Sequence, residues 1–214
     1  MRNTSCYLKD LGFSSDTYGE TIIAFLGSED RDSIMSLMPM GFKLGDNCEL
    51  VGRIFRGSLI YNIILGKKLD KIPCIVCVTR SPQAFYLAVF DKKILIRRFE
   101  GGRCPRSYCD ACINGELTVE GVEDDIINVS IRPLSVKINR RMPLVFDRAS
   151  AAIIEALVWY TKIPYVPCNE VYEILSRLRF YRETVSRASK RGVFLKMINR
   201  IFREGVKNAK SSGC

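Results

Sequence analysis

The feature of this sequence that most constrains its fold is a change of hydrophobic period near residue 140. Before that point apolar and polar residues alternate, most clearly over residues 126–138, where polar side chains separate Ile127, Val129 and Ile131. A period of two is typical of a half-buried strand. After that point apolar residues recur three and four positions apart, which predicts three helices. These helices cover residues 148–161, 169–189 and 193–207.

The part before residue 140 contains six predicted strands and two predicted helices. The strands cover residues 21–26, 33–42, 48–55, 73–79, 115–119 and 126–138. One helix covers residues 58–69 with Ser58 as its N-cap, and the other covers residues 82–89 after Ser81 and Pro82. Because many short strands leave unpaired edges unless their sheet closes, this pattern favours an antiparallel barrel and a mainly β fold with helices, of the α+β class.

The positive charge is concentrated in the predicted C-terminal helices. The net charge is +10, and residues 176–214 hold eleven Lys/Arg against two Glu, which accounts for nine of these charges. Such a segment attracts nucleic acid or another anionic partner with an affinity that depends on salt, and Phe180, Tyr181 and Phe194 offer rings for base stacking. The alternative is that the charges form the solvated outer faces of amphipathic helices.

The absence of histidine limits the chemistry available to this chain. Ser–His and Cys–His pairs, histidine-ligated metals and an imidazole base are all excluded. The first residues lack the apolar core of a signal peptide, and the apolar runs are too short to cross a bilayer. We therefore expect a soluble, cytoplasmic protein whose nine cysteines remain reduced as small apolar groups.

A turn after the third predicted strand is the first candidate binding site. The segment GRIFRGSLIYN begins at Gly52 and is apolar except around Arg53, Arg56, Gly57 and Ser58. A phosphate favours backbone N–H groups at the start of a helix together with a fork-shaped arginine. The plainer alternative is a strand-to-helix turn in which Ser58 is an ordinary cap.

A cysteine-rich loop, CPRSYCDAC, is the second candidate site. Cys104, Cys109 and Cys112 could hold zinc if Cys74, Cys77 or another cysteine supplied a fourth thiolate, and an iron–sulfur cluster needs the same number of ligands. The loop contains only one C-x-x-C pair, however, and no neighbouring pair completes four ligands. We therefore predict no metal and expect free thiols or incidental disulfides in this loop.

Two groups of residues resemble a known family. The helical segment FDRASAAIIEALVWYTKI is similar to a signature of an archaeal family of flavin-binding proteins, domain of unknown function 447. Earlier segments follow that family in order and spacing: ETII, MPMGF, RIFRGS, CVTRSP and IINVSIRPLSV. The resemblance implies a split β-barrel like those of flavin reductases and pyridoxamine-phosphate oxidases, a homodimer, and flavin mononucleotide (FMN) bound near the subunit interface.

The resemblance also implies roles for particular residues. The backbone of Met40 and Gly41 would lie near the isoalloxazine ring, although Gly41 beside Pro39 is equally consistent with a β-bulge. The phosphate would lie near the segment that runs from Arg53 through Arg56 and Gly57 to Ser58, and Thr79 would end the neighbouring strand. The expected activity is then that of a flavin-dependent oxidoreductase of unknown substrate.

Some positions depart from the family pattern and support an alternative. The family has a basic residue and a threonine after its Gly-Ser pair, where this chain has Leu59 and Ile60. Ala24 and Phe25 replace two threonines of the first strand. The alternative is a flavin-free interaction module that binds nucleic acid or another anionic partner through its cationic helices. In either case residues 15–140 are expected to form an FMN-binding-type split barrel, and residues 141–214 a basic helical segment packed on it.

Overall fold

Six antiparallel strands close into a barrel in the order β1-β2-β3-β6-β5-β4. The strands are β1 (Gly19–Leu26), β2 (Ile34–Leu44), β3 (Leu50–Phe55), β4 (Lys71–Val78), β5 (Ala111–Glu123) and β6 (Ile126–Ile138). This computed structural model describes residues 5–15, 18–27, 33–99, 103–139, 148–189 and 191–214. The predicted barrel is confirmed.

The barrel interior is filled by alternate residues of its strands. Ile127, Val129 and Ile131 of β6 are buried in the core, as their period of two predicts. Position 52 of β3 has room only for glycine, because a Cβ atom there would lie 2.8 Å from both Met40 Cε and Phe42 Cδ1. A small residue opposite large ones lets these inward side chains interdigitate.

Strand β5 is much longer than the predicted residues 115–119. Its outward positions carry polar residues such as Asn114 and Glu116, so the sequence shows no continuous apolar run there. Pairing with β4 on one side and β6 on the other supplies backbone hydrogen bonds along this polar stretch. Tertiary pairing rather than local composition therefore sets the ends of the strand.

The chain divides into a barrel unit, Met1–Thr79 with Leu87–Met142, and a helical unit, Arg80–Tyr86 with Pro143–Cys214. The helices before β6 are α1 (Ser5–Asp10), α2 (Leu59–Lys67), α3 (Pro82–Phe90) and α4 (Lys92–Ile96). Ser58 and Ser81 cap α2 and α3 as predicted, because their Oγ atoms accept hydrogen bonds from the N–H groups of Tyr61 and Ala84, each at 3.3 Å. The short helices α1 and α4 were not predicted.

The helical unit contains three long helices: α5 (Arg148–Lys162), α6 (Cys168–Ala188) and α7 (Gly192–Ser211). A short 3-10 helix, Ile163–Tyr165, joins α5 to the turn before α6. The predicted apolar face of α7 consists of Phe194, Met197, Ile198, Ile201 and Phe202; the first four are buried and Phe202 is half-buried. No helix within the described residues is long and apolar enough to span a bilayer.

The prediction of reduced cysteines differs from the structure, in which six cysteines form three disulfides. The pairs are Cys77–Cys109, Cys104–Cys112 and Cys168–Cys214. Cys104 and Cys112 lie in the loop where incidental disulfides were one of the two expectations, whereas the members of the other two pairs are 32 and 46 residues apart and are brought together by tertiary structure. Cys74 remains a thiol, and burial raises its pKa to about 12, so it is protonated near neutral pH.

Candidate functional site

The outer face of strands β1 to β3 brings together Glu20, Gly41 and Arg53. Glu20 is the direct partner of Gly41 in the β1–β2 ladder. The β2–β3 ladder pairs Phe42 with Gly52, so one further step along both strands sets Arg53 beside Gly41. Glu20 and Arg53 are both exposed. This row therefore lies on the outside of the barrel, and we call it the outer row.

The glycine of the outer row makes room for the chain's own side chains. A Cβ atom on Gly41 would lie 3.1 Å from Glu20 Oε1 and 3.4 Å from Tyr18 Cδ1. The Lys43 ammonium lies 4.9 Å from the centre of the Tyr18 ring. The neighbouring Met40 faces the barrel core instead, and its carbonyl accepts a hydrogen bond from Thr21 Oγ1 at 2.9 Å.

The predicted phosphate turn lies between β3 and α2. Gly57 has a φ of +91°, a left-handed conformation that favours glycine. Ser58 Oγ donates to the Phe55 carbonyl at 3.0 Å and accepts the Tyr61 N–H. The first N–H groups of a helix have no acceptor within the helix, so those of α2 that Ser58 does not cap are candidate donors to an anion at the positive end of the helix dipole.

Arg56, in the same turn, is held by an acidic residue from the hairpin between β5 and β6. Its Nη1 atom lies 2.9 Å from Asp125 Oδ1, and its backbone N–H donates to the Asp125 carbonyl at 2.8 Å. The hydrogen bond to this carboxylate, aided by its charge, raises the pKa of Arg56 above the ordinary arginine value. An anion at the turn would thus compete with Asp125 for Arg56. The other arginine of the segment, Arg53, is exposed on β3.

Thr79 lies at a distance from the phosphate turn. It follows the last residue of β4, and β4 is separated from β3 by β1 and β2. In a closed barrel of six strands, strands three steps apart lie on opposite sides. The Thr79 hydroxyl is buried and donates to the Tyr108 carbonyl of the cysteine loop. The predicted residues thus divide between the turn, the outer row and the end of β4, and only an extended ligand could contact all three.

The two substituted positions after Ser58 differ in their surroundings. Leu59 is 60% exposed at the start of α2, whereas Ile60 is fully buried in the barrel core. A threonine at position 60 would therefore face the core, so the departure at Ile60 removes no exposed polar group from the turn.

The sequence analysis missed three residues of the site, Tyr18, Glu20 and Lys43, because the register of β1 against β2 is not visible in the sequence.

The helical unit contains a separate, cationic cavity of about 750 Å³ between α6 and α7. Four basic residues line it: Arg182, Lys196, Arg200 and Arg203. Two aromatic rings, those of Tyr86 and Phe202, also line it. The predicted stacking residues Phe180, Tyr181 and Phe194 are not among its lining residues, so the aromatic groups differ from those expected.

Two of these arginines are fixed against aromatic rings. The Arg182 guanidinium carbon lies 5.2 Å from the centre of the Phe202 ring, and its Nε donates to Asn199 Oδ1 at 2.8 Å. The Arg200 guanidinium carbon lies 5.6 Å from the centre of the Tyr86 ring, and its Nη1 donates to the Tyr86 hydroxyl at 3.1 Å. Such contacts orient the planar donors before any anion arrives.

A closed antiparallel barrel followed by a helical segment defines the class of the split β-barrels. Within that class, the chain has the fold of the FMN-bound protein MM1853 from Methanosarcina mazei, a DUF447 protein. The two share 18% sequence identity at a TM-score of 0.65, and the match covers 92% of this chain and 99% of that one. The fold implied by the sequence resemblance is thus confirmed.

Two flavin reductases match at lower TM-scores. HpaC, complexed with NADP⁺, matches at a TM-score of 0.43 and 17% identity over 66% of this chain and 92% of its own. BorF, the reductase component of a bacterial tryptophan halogenase, matches at a TM-score of 0.39 and 17% identity over 64% of this chain and 89% of its own. No protein-family model and no curated protein matches the sequence.

Proposed function

We propose that this chain is an FMN-binding protein whose barrel unit holds the flavin along the outer row and the phosphate turn. The observation that supports this most strongly is its likeness to an FMN-bound protein over 92% of the chain. The phosphate turn and the outer row together fit an extended cofactor, whose phosphate would lie at the turn and whose planar ring would lie near Gly41. FMN is proposed here, and a substrate is not assigned.

The residues at the turn fit a phosphate. The α2 N-terminus would supply backbone N–H donors, and Gly57 allows close approach. The Ser58 hydroxyl would join them on exchanging the Phe55 carbonyl for phosphate. Arg53 supplies a positive charge near the turn, and Arg56 would supply another on exchanging Asp125 for phosphate. These two charges would replace the basic residue that the family has at the position of Leu59.

The ring end of the site offers contacts rather than acid–base chemistry. Bound FMN would supply hydride or electron transfer. Tyr18 and Glu20 contact the space above Gly41, so they would move aside or pack on the ring edge when the flavin binds. The apolar surface on this side belongs to Tyr18, Phe55 and Leu59, which are 46, 57 and 60% exposed. We propose that a second copy of the chain covers this surface in a homodimer.

Neutralising Arg53 or Arg56 is expected to weaken FMN but not riboflavin, which lacks the phosphate. In Arg53→Gln or Arg56→Gln, the FMN dissociation constant should rise about tenfold, because each variant removes a charge-assisted hydrogen bond. Titration followed by flavin fluorescence measures both ligands. Asp125→Asn, which removes the competitor of Arg56, should instead tighten FMN binding.

Arg132→Gln is the matched control, because Arg132 is an exposed arginine of β6 that pairs with Glu116 at 3.4 Å. It should change neither dissociation constant. Equal losses for FMN and riboflavin in the Arg53 and Arg56 variants would remove the phosphate turn from the proposal. A colourless protein whose added FMN keeps its free fluorescence would remove the flavin function itself.

The cationic cavity supports a second candidate function, the binding of single-stranded nucleic acid. Its four basic residues match a phosphate backbone, and the Tyr86 and Phe202 rings offer stacking surfaces. Neither feature depends on a flavin in the barrel unit, so this function is compatible with the first one.

We expect single-stranded nucleic acid to bind with a strong dependence on salt. Four neutralised phosphates give a slope of about −3 in log K against log salt, so affinity should fall about 50-fold between about 50 and 200 mM salt. Fluorescence anisotropy with a labelled oligonucleotide measures it. Arg182→Gln and Arg200→Gln should each flatten the slope by about 0.7. Arg177→Gln, which removes an arginine stacked on Trp159 outside the cavity, should not flatten it. Equal slopes in all three variants would contradict binding in this cavity.

A further inference from the structure

Four cysteines converge at one end of the barrel unit. Cys77 of β4 and Cys112 of β5 are direct partners in the β4–β5 ladder, so their side chains lie on the same face. Cys104 and Cys109 belong to the loop that leads into β5. The disulfides connect Cys77 to Cys109 and Cys104 to Cys112, so each joins one strand cysteine to one loop cysteine.

Three of the four sulfur atoms form one group across the two disulfides, and the fourth is bonded to a member of that group. The Sγ atoms of Cys77, Cys104 and Cys109 all lie within 4.8 Å of one another, although they belong to different disulfides. The fourth sulfur, of Cys112, is bonded to that of Cys104. In a tetrahedral zinc site with four thiolates, neighbouring sulfurs are about 3.8 Å apart. Three of the four sulfurs therefore already lie within reach of a single ion once the disulfides open.

Backbone hydrogen bonds hold the loop in place independently of its sulfur atoms. The Cys109 N–H donates to the Pro105 carbonyl at 2.9 Å, and the Asp110 N–H donates to the Val78 carbonyl at 2.8 Å. Asn139 Nδ2 donates to the Cys109 carbonyl at 3.1 Å. These bonds fix Cys109, and the β4–β5 ladder fixes Cys77 and Cys112, so three of the four ligand positions are set by the fold.

Burial and ligand type indicate a structural site. Cys77, Cys109 and Cys112 are at most 5% exposed, and Cys104 is half-buried, so four protein ligands would enclose the ion and leave no open position. Four thiolates around a divalent ion carry a net negative charge. The loop also carries two exposed arginines, Arg103 and Arg106, whose charges offset it.

We propose that the reduced chain binds one zinc ion through the thiolates of Cys77, Cys104, Cys109 and Cys112. A dithiol reductant supplies four electrons and four protons to open the two disulfides, and zinc then displaces the thiol protons. Zinc fits better than an iron–sulfur cluster. In a two-iron cluster each iron binds two of the four thiolates, so any three thiolates include sulfurs bound to different irons. Such sulfurs are spread apart, whereas three of the sulfurs in this chain lie together.

The test uses the full chain, reduced with a dithiol and given zinc, then freed of unbound metal under anaerobic conditions. We expect about one zinc per chain by elemental analysis, and X-ray absorption at the zinc edge should show four sulfur neighbours at about 2.3 Å. Cys104→Ser and Cys112→Ser should retain little zinc. The matched controls Cys48→Ser and Cys168→Ser should retain it fully, because those residues lie outside the group.

Several outcomes would overturn the proposal. One is a reduced wild-type protein that retains no zinc, and another is a Cys104→Ser variant that retains as much as the wild type. A zinc edge showing nitrogen or oxygen neighbours in place of sulfur would also reject the site, and this measurement does not depend on any variant folding. A coloured protein that contains iron after purification would reject the assignment to zinc.

Discussion

Serine in place of Cys214 is expected to lower the free energy of unfolding of the helical unit by about 4 kcal/mol. The disulfide between Cys168 and Cys214 joins the start of α6 to the end of the chain across 46 residues. Closing so long a loop restricts the unfolded chain strongly, and that restriction is lost when the bond is absent. The hydrogen bond from the Tyr172 hydroxyl to the Cys214 carbonyl, at 2.9 Å, remains but contributes far less.

The fluorescence of the single tryptophan, Trp159, measures this effect in urea. Its ring lies on α5, with Lys162 Nζ 4.3 Å and the Arg177 guanidinium carbon 4.1 Å from its centre, so its emission reports on the helical unit. Cys168→Ser removes the same bond from its other end and should lower the midpoint by the same amount. An equal midpoint for oxidised wild type and Cys214→Ser would show that the bond contributes no stability.

Alanine at Gly115 is expected to destabilise the barrel unit by about 3 kcal/mol. A Cβ atom there would lie 2.7 Å from Ile131 Cγ2 and 2.9 Å from the Arg132 carbonyl oxygen. The second of these is backbone on the paired strand, so relief requires β6 to move. The register between β5 and β6 also shifts at this point, between Asn114 and Gly115, which fixes the approach of the two strands.

Gly121 of the same strand provides the control for this substitution. It also adjoins a register shift, but nothing lies within 4 Å of a Cβ atom placed on it. Gly121→Ala should therefore change stability by no more than about 0.5 kcal/mol. Urea unfolding followed by circular dichroism measures both variants. If Gly115→Ala and Gly121→Ala unfolded at the same midpoint, the close approach of β5 to β6 would not constrain position 115.

The fold could be predicted where the residues of a single element show a local pattern. Strand β6 matches its predicted bounds because apolar and polar residues alternate on both sides of Pro133, and α2 begins after Ser58 because the cap is local. The candidate sites could be predicted only in part. The contact of Arg56 with Asp125 joins residues 69 positions apart, and the pairing of Cys77 with Cys112 depends on strand register. Neither leaves a pattern in neighbouring residues.

The strand order has a consequence for the kinetics of folding. The barrel closes where β3 pairs with β6, a ladder that runs from Leu50 opposite Ile131 to Phe55 opposite Ile126. A long stretch of chain must be looped before these residues meet, and that entropy is lost before any contact compensates for it. Helices α5, α6 and α7 contact mainly their neighbours along the chain. We therefore expect the three later helices to assemble while the earlier barrel is still open.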